Sequence, residues 1–589
     1  MKTCSLLISL PIVLSLSLGA NGSYAKVEAP PPPPSGEEAP PPPPGAASSA
    51  QDGGEKAGKP NSADAAQSSG PVSGSQTEAE SQYQAGNYEA AAVQFRAIAT
   101  GQSGGDGPRA QFWLGKTLYK LEFYGAALAI FDQIVQAGPS HPYHRVTLPW
   151  LASMSRVLPE GAGVLEKVGT YKPSELEHEA FDEVRDELYY LLGRFYYLKG
   201  DLGQAIALLT QVPNESDFYI PAQFFMGVAE TRELKAEPAV AAFKEVLRKN
   251  LQLREGEDRQ RARKRKKKER LARLSIRKRK KLGLTEAELE FDEQNERFFE
   301  LASLSLGFIF YQVGKFSTAI KYFDRVPMTS PYWLDAVFAG AWSEFRMGEV
   351  EPELANVHNQ RTLGYIHTLN APFFHDYLYP EALVLKADIY YYNCQYGPAK
   401  GAIDEFNERY LKTKEDLQTI VSSAPDDFAF YEITLDIRRG KSSHDPFVEK
   451  VAQKALQDKT LERNYAYVER LEYEIEKLKE MGADFRDGGV GDLISENVDL
   501  TLSLAKEQTG ALARKRLLSK ITEIKKLERD AIKVEYEILN KLKELGVETP
   551  NQMQKPTVDR EHEIYNYNGE YWQDELGFYY YKVNSVCKE

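Results

Sequence analysis

His358, His367 and His375, the last beside Asp376, are the residues of this 589-residue chain that come nearest to a metal-binding set. Imidazole nitrogens with a carboxylate could hold a zinc-type ion. Their steps of nine and eight residues do not place the three rings on one face of a helix, so polar turn or interface histidines are the ordinary reading. A phosphate-cradling Gly-rich loop, a Gly-x-Ser-x-Gly elbow, a His-Glu-x-x-His helix and an EF-hand loop are absent from the sequence. Among 86 Asp and Glu residues no pair stands out as an acid and its base. Neither catalysis nor a bound cofactor is expected.

Charge supplies a second candidate chemistry. From Arg254 to Lys281, sixteen of twenty-eight residues are Lys or Arg, in a chain whose formal net charge is −13. Lys266, Lys267, Lys268, Lys278, Lys280 and Lys281 form its densest part. Nucleic acid would lead as partner for a cytosolic protein, but the chain opens otherwise. Met1 and Lys2 precede an apolar run from Leu6 to Leu18, and Ser23-Tyr24-Ala25 is a small-x-Ala site. That is the pattern of a cleaved signal peptide, with cleavage after Ala25. A retained anchor is the rival reading, although the run is shorter than the ~20 residues that cross a bilayer. Export to the periplasm or envelope of a Gram-negative bacterium follows as the expectation, with secretion as the alternative. For an exported chain the basic segment fits anionic lipid headgroups, polysaccharide or an acidic protein, and a solvated protruding segment is the plain alternative. Leu271, Leu274 and Ile276 are too sparse there to complete an amphipathic stripe. Beyond the leader no segment is apolar enough to span a membrane.

Once the leader is removed, Cys394 and Cys587 remain, too few for a disulfide framework and without metal-ligand spacing. Two unpaired thiols are expected, with a single long-range disulfide as the alternative.

The elements that carry these residues are legible from a recurring triplet. A small residue is followed twelve positions later by Ala and four after that by a large apolar residue, at Ala79/Ala91/Phe95, Gly115/Ala127/Phe131, Gly193/Ala205/Leu209, Gly227/Ala239/Phe243, Gly307/Ala319/Phe323 and Ala387/Ala399/Ile403. Two helices cross closely only where both lack bulk, and the large residue then fills the wedge between them. The steps of 36, 78, 34, 80 and 80 residues leave room for two degenerate units. One lies around Leu148 to Tyr171, where Pro149 and Pro159 interrupt helices; in the other, Pro352 and Asn356 replace the expected Ala and apolar residue after Gly340. Gly200 and Gly314 mark turns within units, and Pro139 and Pro331 follow second helices. An all-α stack of hairpins is implied, each unable to bury its apolar face alone.

These residues resemble the tetratricopeptide repeat family, whose motif carries a small residue, Ala, an aromatic and a terminal Pro at such spacings. The resemblance covers about half of the chain and implies an α-solenoid that binds partners along its inner helices. Carried over by position, it points Arg109, Lys116 and Tyr119 of one unit and Arg194 and Tyr197 of another inward as partner-binding residues; a solvated helix face is the alternative for each. The aromatic-rich stretches 325–345, 367–396 and 569–587 are also similar to exported repeat proteins of gliding and predatory deltaproteobacteria, some of which belong to motility envelope complexes.

Residues 1–25 are accordingly expected to be a signal peptide and 26–76 a disordered spacer, stiffened by Pro30 to Pro34 and Pro40 to Pro44. Residues 77–410 form the repeat domain, with the basic insertion at 251–285. Across 411–550, Leu461, Tyr465, Val468, Leu471, Ile475 and Leu478 make one heptad-like seam, and Leu517, Ile521, Ile524, Ala531, Ile538, Leu542 and Leu545 a second. Glycines between Gly482 and Gly491 suggest a turn and an antiparallel hairpin of long helices, and dimerisation through the same seams is the competing arrangement. Residues 551–589 carry Tyr565, Tyr567, Tyr571, Trp572 and Phe578 to Tyr581, with Asn568-Gly569 as a hairpin signal; a short β-hairpin or aromatic clasp packed onto the long helices is expected, with a partner-binding aromatic patch as the alternative. The function that fits is a non-enzymatic exported scaffold that binds envelope proteins, with anionic glycan or lipid binding through the insertion as the alternative and nucleic acid excluded.

If the insertion binds anions, replacing the six lysines named above by Gln weakens retention on envelope fractions at low salt by about tenfold in a sedimentation assay. Unchanged retention removes that reading.

Overall fold

The computed structural model describes residues 74–256, 286–374, 377–544, 570–581, 583 and 585–587. Leader, proline spacer and residues 257–285, with Lys266, Lys267, Lys268, Lys278, Lys280 and Lys281, lie outside the described residues, as do His375, Asp376, Leu545, Tyr565, Tyr567 and Asn568-Gly569.

Helical hairpins follow one another from the first described residue. They are α1 (Gly74–Gln84) with α2 (Tyr88–Ala99), α3 (Gly107–Lys120) with α4 (Tyr124–Ala137), and the irregular pair α5 (His144–Ser155) and α6 (Val164–Val168). Next come α7 (Arg185–Lys199) with α8 (Leu202–Leu209), α9 (Tyr219–Arg232) with α10 (Ala236–Gly256), and α11 (Glu286–Gln312) with α12 (Phe316–Phe323). The array closes with α13 (Trp333–Val350) and α14 (Ala355–Leu369), then α15 (Pro380–Tyr392) and α16 (Tyr396–Phe406). Helices α10 and α11, which flank the basic insertion, pack on each other. Starts are set locally: Asp106, Asp201, Asp426 and Asp458 each accept a hydrogen bond from a backbone N–H of the following turn.

The small residues do what their spacing requires. A Cβ on Gly115, Gly193, Gly227 or Gly307 would stand 2.7, 2.8, 2.9 or 2.3 Å from the large side chain sixteen residues on, namely Phe131, Leu209, Phe243 or Phe323. Ala79 and Ala387 hold the equivalent positions, wholly buried. In the irregular α13/α14 unit a Cβ on Gly340 would stand 3.3 Å from Tyr365 instead, because Gly340 lies farther from the end of its helix than the other small residues do and the register of the pair shifts.

A further regularity lies seven residues after each small residue. Gly86, Glu122, Gly200, Leu234, Gly314 and Cys394 all have left-handed backbone, φ between 58° and 85°. Half of these are glycine, which accepts the conformation without steric cost; the others carry strain of roughly 1–2 kcal/mol each. Glu122 is held by contacts described below and Cys394 by a disulfide. Nothing in the structure explains Leu234, which is 91% exposed.

Past the array, a π-helical turn at Asn407–Leu411 runs into α17 (Lys412–Ser422), followed by α18 (Asp427–Arg438) and α19 (Pro446–Ala455). Helix α20 (Lys459–Lys479), the short α21 (Ala483–Arg486) and the 56-residue α22 (Gly489–Glu544) complete the helical part. At 1.5 Å per residue α22 is about 84 Å long. Helices α20 and α22 pack as an antiparallel pair. Their two seams do not face each other, however. Asp458, one residue before α20, pairs with Arg516 at 2.6 Å, so α20 has ended where the Leu517–Leu542 seam begins. Leu517, Ile521, Ile524, Ala531 and Ile538 are buried against helices of the array end, and dimerisation through these seams is closed off within one chain.

The tail departs from the expected β-hairpin. No strand occurs among the described residues, and residues 570–581, 583 and 585–587 run as turns and irregular backbone, laid over α14. Their polar groups find helix partners instead: Tyr581 N–H donates to Gln360 O (3.2 Å), Gln360 Nε2 to Val583 O (2.9 Å), Gly577 N–H to Thr368 Oγ1 (2.9 Å) and Val586 N–H to Asn393 O (3.1 Å). Tyr579 crosses α14 at Gly364, where a Cβ would meet its carbonyl oxygen at 1.7 Å. The strap thus packs on the array and not on the long helices. It brings Cys587 to Cys394, and the two form a disulfide where two thiols were expected.

Gly307→Ala costs about 1–3 kcal/mol by forcing Phe323 aside, whereas Gly203→Ala, with open space around it, is neutral or stabilising by up to about 1 kcal/mol. Leu234→Gly gains about 1 kcal/mol by releasing left-handed strain. Denaturant midpoints of the three variants check this ordering.

Candidate interaction surfaces

The inner-face residues expected to meet a partner are held by the protein itself. Arg109 on α3 makes a bidentate ion pair with Glu80 of α1, Nε to Oε1 at 2.8 Å and Nη2 to Oε2 at 3.0 Å. Lys116 is 5% exposed, with Nζ 3.7 Å above the Trp113 ring and Tyr83, Phe112 and Trp150 within 5.6 Å, so its charge sits in a cage of aromatic faces. Tyr119 is half-buried, edge-on to Trp150 (5.4 Å) and tilted against Tyr124 (5.1 Å). On α7, Arg194 lies 5.1 Å over Phe225 and 5.5 Å over Tyr190. Burial, then the like charge of Arg463 on α20, lowers its pKa to about 10. Tyr197 is buried under the Arg232 guanidinium, 4.9 Å from its ring. Arg109, Lys116 and Tyr119 thus share one helix, Arg194 and Tyr197 another, each knitted into local packing.

The histidines likewise part company. His358 Nδ1 bonds Glu344 Oε2 at 2.6 Å, whereas His367 stacks on Tyr571 of the strap at 4.7 Å. Among the described residues no group of His, Cys, Asp and Glu is arranged to hold a metal ion.

What the structure brings together, and the sequence reading did not single out, is a set of charged clamps through which α20 and α22 grip the array and the helices that follow it. Three residues on one face of α20 take the turn between α3 and α4. Arg470 donates to Glu122 O (3.0 Å), Lys477 donates to Leu121 O (2.7 Å), and Glu474 accepts the Gly125 N–H through Oε1 (3.1 Å) and Oε2 (3.2 Å). Cations on the carbonyl end of α3 and a carboxylate on the N–H end of α4 both complement the helix dipoles. Glu474 is wholly buried. Burial pushes its carboxyl up to about 7, against the pull of the Gly125 N–H, Arg470 and the N–H groups of Tyr124 and Ala126. Phe123 and Phe485 meet beside it at 5.8 Å. Around the first hairpin Gly482 N–H donates to Glu89 (3.1 Å) and Arg96 Nε to Gly489 O (3.2 Å). A signal for this set existed: 470, 474 and 477 step by four and three, one residue behind the apolar 471, 475 and 478.

Helix α22 carries the second clamp. Arg514 donates to Asp427 Oδ1 (2.6 Å), Val421 O (2.5 Å) and Asp426 O (2.7 Å), beside Gly510, where a Cβ would touch Asp427 O at 1.8 Å. Farther along, Glu528 pairs with Lys414 (2.8 Å) and Glu535 with Lys400 (3.2 Å). Between these pairs and α15 lies an acidic seam. Glu381 is pushed up to about 7 by burial, then by Glu523, with Lys526 opposing and Asp530 adding. Asp388 is raised to about 7 by burial, Glu537 and Asp530.

Carboxyls that hold protons at a higher pH when folded contribute stability that is complete below their unfolded pKa near 4 and lost as pH rises through about 7. The stability difference between the parent and Glu381→Gln/Asp388→Asn therefore shrinks or reverses between pH 5 and pH 8, read from urea midpoints. Glu474→Ala costs about 1–3 kcal/mol at pH 7 and leaves the α4 N–H groups without their acceptor.

Among the described residues no helix is long and apolar enough to cross a membrane. A comparison with curated proteins finds no match. Among solved structures, a chain of the crystal structure of the APC/C hetero-tetramer Cut9-Hcn1 aligns at 13% identity, over 75% of this chain and 96% of that chain. Its TM-score of 0.19 is too low for the likeness to carry an argument. None of these comparisons links the chain to motility complexes. Residues 77–142, the α1–α4 hairpins and the turn that follows, match the tetratricopeptide repeat family model, so this stretch is tetratricopeptide-like by sequence as well as by its helix contacts.

Proposed function

We propose that the protein is an exported adaptor that binds other cell-envelope proteins and holds them in one complex. The observation that carries the reading is the tetratricopeptide match at 77–142 together with the same small-on-large helix contact repeated along the array, an architecture that presents extended surfaces to partners. Export is supported by the leader pattern and by the Cys394–Cys587 bond, since such bonds persist in oxidising compartments. Because α20 and α22 occupy the array through the clamps above, partners meet a composite surface of repeats and long helices.

Capture of envelope proteins on the immobilised full chain, with and without residues 254–281, tests the adaptor. It expects defined proteins retained within about twofold by both chains and at 0.3 M salt, where exposed charge attraction is largely screened. Retention that disappears with the deletion and with salt contradicts it and favours anionic lipid or glycan as the ligand.

A further inference from the structure

Helix α22 buries one side against α20 and the array, and its opposite side carries a stripe whose exposed apolar positions are spaced symmetrically about one residue. Leu518 stands at the centre, 45% exposed. Eighteen residues to either side lie Leu500 and Tyr536, 65% and 66% exposed; fourteen to either side lie Leu504 and Ile532, 48% and 58% exposed. Eleven residues out, the pair is Glu507 and Arg529, both exposed and of opposite charge. At seven residues Ala511 faces the place of Lys525, whose aliphatic stem can cover it. With ~100° per residue, all of these fall within about 40° of Leu518 around the helix axis, so they form one straight face roughly 54 Å long.

A helix face whose apolar positions are symmetric about one residue and whose charged pair is complementary fits an antiparallel copy of itself. We propose that this face is the twofold interface of a homodimer, with the axis at Leu518. In that arrangement Leu518 packs on its mate, Leu504 on Ile532 and Leu500 on Tyr536, and Glu507 of each copy meets Arg529 of the other. Every contact occurs twice, as an isologous interface demands. Charge complementarity commits the stripe to a second copy: the parallel arrangement would put Glu507 against Glu507 and Arg529 against Arg529, which opposes association. This is a different surface from the buried Leu517–Ile538 seam, so dimerisation needs no opening of the single chain. It does not depend on export or on the adaptor reading.

Analytical ultracentrifugation of the full chain tests it. A dimer is expected, and Leu518→Glu, which places two carboxylates together at the axis, raises its dissociation constant at least about 100-fold with an unchanged helical circular dichroism spectrum. Glu507→Arg and Arg529→Glu each weaken the dimer by about tenfold, and the two combined in one chain bring it back to within about threefold of the parent, because the reversed pairs match again across the axis. A chain that stays monomeric, a dimer indifferent to Leu518→Glu, or reversals that compound instead of compensating overturns the proposal.

Discussion

A helix about 84 Å long with an apolar seam along most of it cannot be shielded by a 21-residue neighbour. That mismatch between α22 and α20 shapes the rest of the molecule. Where α20 runs out at the Asp458–Arg516 pair, the seam must find other cover, and helices α15 to α18 supply it. At the other end, α22 and α20 reach α2 and α4. One helix therefore touches both the first and the last hairpins of the array, and the solenoid is tied at both ends.

Tying demands more than apolar contact, because the places where the long helices meet the array are turns, rich in unpaired backbone groups. The clamps answer that need. Glu474 caps the start of α4, Arg470 and Lys477 take carbonyls of the preceding turn, and Arg514 takes three acceptors around α18's start. Glu122, in a left-handed conformation that glycine holds at the equivalent place in three other units, sits inside the first clamp. Cys394, at the same place in the last unit, is fixed by the strap through its bond to Cys587. Two strained turns are thus among the points at which C-terminal segments fasten to the array.

How much of this the sequence discloses follows from distance along the chain. The Gly/Ala/Phe contact closes over sixteen residues, so its steric logic is visible without any structure, and both degenerate units fall where proline or a lost Ala blurs it. Turns at Gly200 and Gly314 are legible; Glu122, Leu234 and Cys394 are not, since nothing in their side chains announces a positive φ. Family position singles out the five inner-face residues, but it says where a side chain points and not what already fills the space before it. Lys116 shows the difference: its charge sits among four aromatic rings of its own fold. Heptad rhythm in both seams points to a pairing between them, but register between segments is set by turn length and end contacts, which periodicity does not contain. The strap eluded the reading for a similar reason, its hydrogen bonds spanning about two hundred residues.

The central claim is that array and long helices are one cooperative body. Native-state hydrogen exchange in rising denaturant tests it most directly, because separate units open at separate free energies. The amides of α3, α4, α20 and α22 are expected to merge into a single opening with a common dependence on denaturant. If α20 and α22 exchange through an opening several kcal/mol easier than that of α3 and α4, with the array still protected, the long helices are only an appendage and the account is contradicted.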